Sequence, residues 1–284
     1  MSLQTVLQVS GLTKHFGGVR ALDGVDFSVP AGQCVALIGP NGAGKSTCFA
    51  CLAGQQVPTA GEVLWQGQSL LGKPPAERQR LGVARTFQVA QTFEALTVLQ
   101  NIQLVLRGSA PLAWWDRLDS RQPERALRLA DQAGLQAQAH ATVADLPYGA
   151  KKRLELAMAL AGLPDAVPGS GADQDAQAAP SLLLLDEPAA GLALAERADM
   201  MALVRQVASQ GVTVLYTEHN MDAVFGVADR VLVLMQGRLV ADGTPDTVAQ
   251  DPRVLQHYLG VDFKARHAVP ENAEHPKNQG GLHV

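Results

Sequence analysis

Cysteine is scarce: Cys34, Cys48 and Cys51 are the only three in 284 residues. An odd count excludes a disulfide framework and, with no secretory leader in view, points to a reducing compartment. Cys48 and Cys51 form a C-x-x-C, which reads as small apolar packing on a helix, with a redox or zinc pair as the sharper alternative. Positive charge is also in short supply, with 23 Lys and Arg against 27 Asp and Glu and a net charge of −4. At a pI near 6.0 nothing marks a nucleic-acid footprint. No apolar run approaches the ~20 residues that a transmembrane helix needs, so membrane association must come through a protein partner. The first residues, Met1 to Val9, lack a basic, apolar leader pattern and read as a strand. The length allows one large or two small domains, and a hydrophobic content of 47% is ordinary for a globular chain.

Short β-rich runs alternate with helical stretches, which predicts an α/β fold with a mainly parallel sheet. The strand candidates are Val6–Val9, Val25–Val29, Val35–Ile38, Glu62–Trp65, Val83–Phe87, Leu182–Leu185, Val212–Tyr216 and Val231–Met235. A hairpin through Gln236-Gly237 to Arg238–Ala241 follows the last. The first three runs are separated only by turns, so an antiparallel segment is expected there. Thr97–Leu106 and Glu124–Ala133 carry helical periodicity. The expected organisation is an α/β core, with its antiparallel β segment, over 1–88 and 181–262, interrupted by a helical subdomain over 89–162. Residues 163–180 read as a flexible loop rich in Gly, Ala, Pro, Asp and Gln, and 263–284 as a disordered tail.

The chemistry starts at GPNGAGKST, residues 39–47, where an apolar run ends in GxxxxGK[ST] before a helix-compatible segment. That spacing is the phosphate-binding P-loop. Gly39, Gly42 and Gly44 let successive backbone N–H groups face an anion, which side chains would obstruct. Lys45 is placed to reach β- and γ-phosphates, Ser46 to ligate Mg²⁺, and the helix start adds a favourable dipole. Downstream, Leu182 to Leu185 ends in Asp186-Glu187-Pro188. Alone this is a strand meeting a solvated turn; with a P-loop upstream, Asp186 would hold Mg²⁺ and Glu187 would orient or deprotonate the attacking water. His219 follows a second buried strand and suits a γ-phosphate sensor, although an isolated histidine there is more often a loop residue. Gln88 ends a third and becomes a candidate ligand-sensing hinge.

The order GPNGAGKST, Phe87-Gln88, Leu146-Pro147-Tyr148-Gly149-Ala150, LLLLDEP and Glu218-His219 resembles that of ABC-transporter ATPase subunits, over roughly residues 3–260. Arg85-Thr-Phe-Gln88, Asp186-Glu-Pro-Ala-Ala-Gly191 and Thr217-Glu-His-Asn-Met221 resemble the branched-chain amino acid importers and their amide and urea relatives. The resemblance implies a nucleotide site of Phe16, stacked on adenine, with Gly39, Asn41, Gly42, Ala43, Gly44, Lys45, Ser46 and Thr47. It implies Glu187, His219 and Gln88 as catalytic residues, and Ser46, Gln88 and Asp186 around Mg²⁺. Pro147, Tyr148, Gly149 and Ala150 would face the ATP of a second ATPase subunit. Two permeases and an external substrate-binding protein complete the implied complex, at the cytoplasmic face of the plasma membrane. A regulatory, near-inert nucleotide-binding subunit and a soluble ABC ATPase acting on nucleic acid or ribosomes are the rival classes.

Three features depart from the family pattern. Pro147 stands where a serine would donate to the partner's γ-phosphate, and Ala150 replaces a glutamine. A hydrogen bond to a charged group contributes roughly 1.5–3 kcal/mol, so its loss weakens a site by about one to two powers of ten. Ala193 replaces an Asp or Asn, and the loop over 163–180 is long. The expected consequence is an asymmetric pair with one good ATP site, built on this chain's own P-loop. Lys151-Lys152-Arg153 reads as a solvated face, or else as positive potential toward the partner's nucleotide. Trp114-Trp115 reads as a local satellite core, with permease or lipid contact as the alternative.

Overall fold

The computed structural model describes residues 4–86, 92–106, 122–164 and 180–256. Gln88, Trp114-Trp115, nearly all of the 163–180 loop and the 263–284 tail lie outside the described residues.

Alternation of buried and exposed residues sets the first layer. β1 (Thr5–Phe16) and β2 (Val19–Pro30) form an antiparallel hairpin, each with one buried face. The third strand, β3 (Cys34–Ile38), behaves differently, and corrects the expectation that it would join them: all five residues are buried, and it pairs in parallel with two core strands. A strand apolar on both faces needs layers on both sides, which an antiparallel edge sheet does not offer. Helix α1 (Lys45–Leu52) follows, then β4 (Ala60–Trp65) and β5 (Gln68–Ser69), which complete a sheet of order β2-β1-β4-β5. Next come α2 (Pro75–Arg80) and β6 (Val83–Arg85).

Between β6 and the next strand the described residues include three α-helices: α3 (Val98–Val105), α4 (Pro123–Gln132) and α5 (Tyr148–Ala161). Thr97 and Gln100 close a capping box at the start of α3, at 3.0 and 3.2 Å, which fixes where the helix begins. The chain returns through β7 (Leu182–Asp186), α6 (Leu194–Ser209), β8 (Thr213–Thr217), α7 (Met221–Phe225), β9 (Arg230–Met235), β10 (Arg238–Gly243), α8 (Pro245–Gln250) and α9 (Pro252–Val254). The main sheet runs β10-β9-β3-β8-β7-β6, with only β10 antiparallel among these described strands.

The two-residue period of the strands divides their side chains between two cores. Ala36, Ile38, Leu183, Leu185, Val214 and Tyr216 pack toward the inserted helices and α6. Val35, Leu37, Leu182, Leu184 and Leu215 pack toward α1 and the antiparallel sheet. Cys34, Cys48 and Cys51 are buried free thiols within these layers.

Lys152 corrects the reading of 151–153 as a solvated face. It is 3% exposed, its Nζ 3.4 Å from the Glu155 carboxylate one turn on. Lys151 instead pairs with Glu94 at 2.9 Å. A 3.6-residue period turns adjacent lysines about 100° apart, so one of two neighbours faces inward.

Candidate nucleotide site at the carboxyl edge of the parallel sheet

Strands β3, β8 and β7 end together. Register pairs Leu37 with Thr217 and Thr217 with Asp186, so the P-loop, Thr217 and the two carboxylates meet at one sheet edge. In open α/β sheets this carboxyl edge is where ligands bind.

The P-loop has the backbone its glycines allow. Gly39, Gly42 and Gly44 have φ of 148°, 78° and 105°. A Cβ on Gly39 would lie 2.0 Å from the Leu234 carbonyl oxygen, so no side chain fits. Lys45 opens α1 and is 7% exposed, donating to the carbonyls of Gly39 at 2.7 Å and Pro40 at 3.1 Å. Burial pulls its pKa below the usual lysine value, and the nearby Glu187 and Asp186 carboxylates push it back up. A buried ammonium at the start of a helix, beside a glycine turn, is an arrangement that favours a polyanion.

Asp186 is 6% exposed and held from two sides. Thr217 Oγ1 donates to Oδ1 at 2.9 Å, and Arg85 Nη2 donates to Oδ2 at 2.7 Å. The Thr217 oxygen also accepts the Glu187 N–H at 3.0 Å. Glu187 has φ of 49°, a left-handed conformation that a non-glycine residue adopts at a cost of about 1–3 kcal/mol, and such residues gather at functional sites. Its Oε1 lies 2.5 Å from His219 Nε2. Behind them Glu218, 4% exposed, accepts from the Ala189 N–H at 2.9 Å and the His219 N–H at 3.1 Å.

The fold thus brings together Lys45, Asp186, Glu187 and His219. Three supporting residues, Arg85, Thr217 and Glu218, were quoted in the sequence only as members of motifs and given no role of their own. The signal was there, since each is a polar residue closing or following an otherwise apolar strand. Among the described residues no cluster of three or more His, Cys, Asp or Glu can hold a metal. An exposed Ser46 hydroxyl and one or two carboxylates instead fit an ion that arrives on a phosphate, as Mg²⁺ does.

Phe16 is 47% exposed on β1, its ring 4.9 Å from Lys14 Nζ. Of the four signature residues, Pro147 caps α5 and Tyr148 is exposed, whereas Gly149 and Ala150 are buried. Ala150 is 1% exposed, with its methyl turned inward. A Cβ on Gly149 would sit 2.6 Å from Glu196 Oε1, so the start of α5 lies hard against the start of α6. There Glu196 accepts from the Ala193 N–H at 3.2 Å, but Ala193 has no oxygen with which to answer: half a capping box.

A P-loop on a parallel sheet, with paired carboxylates and a histidine at the same edge, defines a nucleotide-binding protein of the P-loop class. A family model described as ABC transporter matches residues 22–167, and another, described as branched-chain amino acid ATP-binding cassette transporter, matches 238–264. The chain is 36% identical over 265 residues to the high-affinity branched-chain amino acid transport ATP-binding protein BraF of Pseudomonas aeruginosa, covering 90% of this chain and 98% of that one. It is 34% identical over 267 residues to LivG of Escherichia coli, a protein of the same description, with the same coverage. A solved ATP-binding cassette of an ABC transporter in its ADP conformation superposes with a TM-score of 0.76 at 29% identity, covering 90% of this chain and 99% of that one. The chain belongs to the ATP-binding cassette family of ABC transporters, whose members bind ATP.

Proposed function

We propose that this chain is the ATP-hydrolysing subunit of an ABC importer for branched-chain amino acids. The observation that carries hydrolysis is the Glu187–His219 contact at 2.5 Å, beside an Asp186 anchored on both oxygens. The substrate class is supported by the descriptions of BraF and LivG and by the C-terminal family match. Amide and urea importers remain alternatives within the same branch.

The residues divide the work by geometry. Backbone N–H groups of 39–47 and the Lys45 ammonium hold the phosphates, with Phe16 offering an exposed ring to the base. Ser46 and Asp186, with Gln88 as a further candidate ligand, would hold the Mg²⁺ that arrives with ATP, which would supply charge neutralisation there. Glu187, with its backbone fixed by Thr217, orients a water or takes its proton. His219 holds the Glu187 carboxylate in place and lies where a terminal phosphate would be felt.

The partners are a second ATPase subunit and two permeases, which place the chain peripherally at the cytoplasmic face of the membrane. No helix among the described residues is long and apolar enough to cross it. A cavity of about 370 Å³ between α2, β6, α3 and α5, lined by Arg85, Thr86 and Met158, supports docking of a permease helix beside the segment that leads to Gln88. The altered Pro147 and Ala193 favour a second reading, in which ATP mainly holds the complex together. Glu187→Gln in the complex purified from detergent-solubilised membranes separates the two. The enzyme reading expects turnover to fall about a hundredfold or more and ATP-bound dimers to accumulate; unchanged turnover favours the inert subunit.

A further inference from the structure

Arg85 is a cation buried beside the carboxylate best placed to meet a metal-bearing nucleotide, and the reaction as described above does not use it. It closes β6, whose register sets Arg85 opposite Leu184 on β7, two residues before Asp186. Its side chain is 12% exposed and spans three elements. Nη2 donates to Asp186 Oδ2 at 2.7 Å, Nη1 donates to the Gln55 side chain just after α1, and the guanidinium carbon lies 6.0 Å from the centre of the Phe49 ring on α1. Thr217 engages the other oxygen of Asp186. The carboxylate therefore has a fixed rotation, and its charge is balanced within the protein before any metal arrives.

We propose that Arg85 is a positioning residue for hydrolysis, which orients Asp186 and weakens its attraction for Mg²⁺. The physical argument has two parts. A planar guanidinium fixed at once to Gln55 and to one oxygen of Asp186 holds that oxygen at a set point, which a lysine ammonium with a single contact does not. A unit positive charge beside a shielded carboxylate opposes the arrival of a dication there. A rigid support alone would do the first and not the second. The proposal rests on the reading that Asp186 faces Mg²⁺ and ATP.

The test uses the full chain and a fluorescent ATP analogue, and reads the Mg²⁺ concentration that half-saturates nucleotide binding; turnover is read in the assembled complex. Arg85→Met leaves the Asp186 charge uncompensated and removes one of its two anchors, leaving only Thr217. Half-saturating Mg²⁺ is expected to fall at least about threefold, while turnover falls about tenfold or more. Arg85→Lys keeps the charge and loses the fork, so half-saturating Mg²⁺ stays at the wild-type value and turnover still falls. An unchanged Mg²⁺ requirement in R85M, an equal shift in R85K, or wild-type turnover in R85K each overturns the proposal. If R85M does not fold, R85K alone decides the orienting role through its turnover. Nucleotide binding by the wild-type chain that does not depend on Mg²⁺ sinks the underlying reading of Asp186 instead, which separates the two failures.

Discussion

Thr217→Val is the substitution that asks most directly whether the site is held as the geometry says. Valine keeps the shape of threonine and removes one oxygen, which is 1% exposed on its residue and serves two partners. The donor to Asp186 is lost at a charged acceptor, worth roughly 1.5–3 kcal/mol, and the Glu187 N–H loses its acceptor, at roughly 1–3 kcal/mol. Arg85 still holds the second oxygen of Asp186, and water reaches the Glu187 turn in part, so the net cost is expected near the lower end, about 3 kcal/mol. For a chain of this size that lowers Tm by about 6–12 °C. Thr217→Ser keeps the oxygen and loses one methyl, at about 1 kcal/mol. Urea unfolding of the three proteins measures the difference, with equal m-values as the sign that the denatured states match. ATP turnover should fall in the valine variant and largely survive in the serine variant. A valine variant within 1 kcal/mol of wild type on this roughly estimated scale, or serine and valine variants of equal stability, refutes the reasoning.

Ala193→Asn supplies the oxygen that the half-built capping box lacks and should stabilise the chain by about 0.5–2 kcal/mol, read as a higher urea midpoint at unchanged m. Cys34 is pushed up to about 12 by burial first and by Asp229 second, from an ordinary 9.0. The unfolded thiol therefore ionises above pH 9 while the native one stays protonated, so stability falls as pH rises from 9 toward 12. At pH 10 its share is about 1.4 kcal/mol; Cys34→Ala should flatten the loss between pH 8 and pH 10 by that amount, in urea titrations under reducing conditions. Pro147→Ser, on the exposed cap of α5, should raise turnover of the assembled complex about tenfold if the pair of ATP sites is asymmetric. Unchanged turnover in that variant leaves the asymmetric pair without support. Ala150 is left alone in this test because it is buried.

What the sequence determined by itself was whatever is local. The turn over 39–47 has its meaning in consecutive residues, because φ values of 78° and 105° demand glycine whatever surrounds them. Apolar runs such as Leu182 to Leu185 announce buried strands, and Asp186 with Glu187 marks where one ends. Even the change at Ala193 was visible, since a missing side chain needs no partner to be noticed. Tertiary structure decided whatever depends on strand order and on inward or outward direction. β3 lies near β1 and β2 in the chain yet joins β8 and β9, because its two apolar faces need two layers. Lys152 and Ala150 face inward because of which side of α5 is packed against its neighbours, which no count of charges gives. The pairing of Arg85 with Asp186, residues a hundred positions apart, exists only because β6 and β7 lie side by side. Long-range electrostatic partners arise from sheet topology, and that was fixed by the packing of whole layers.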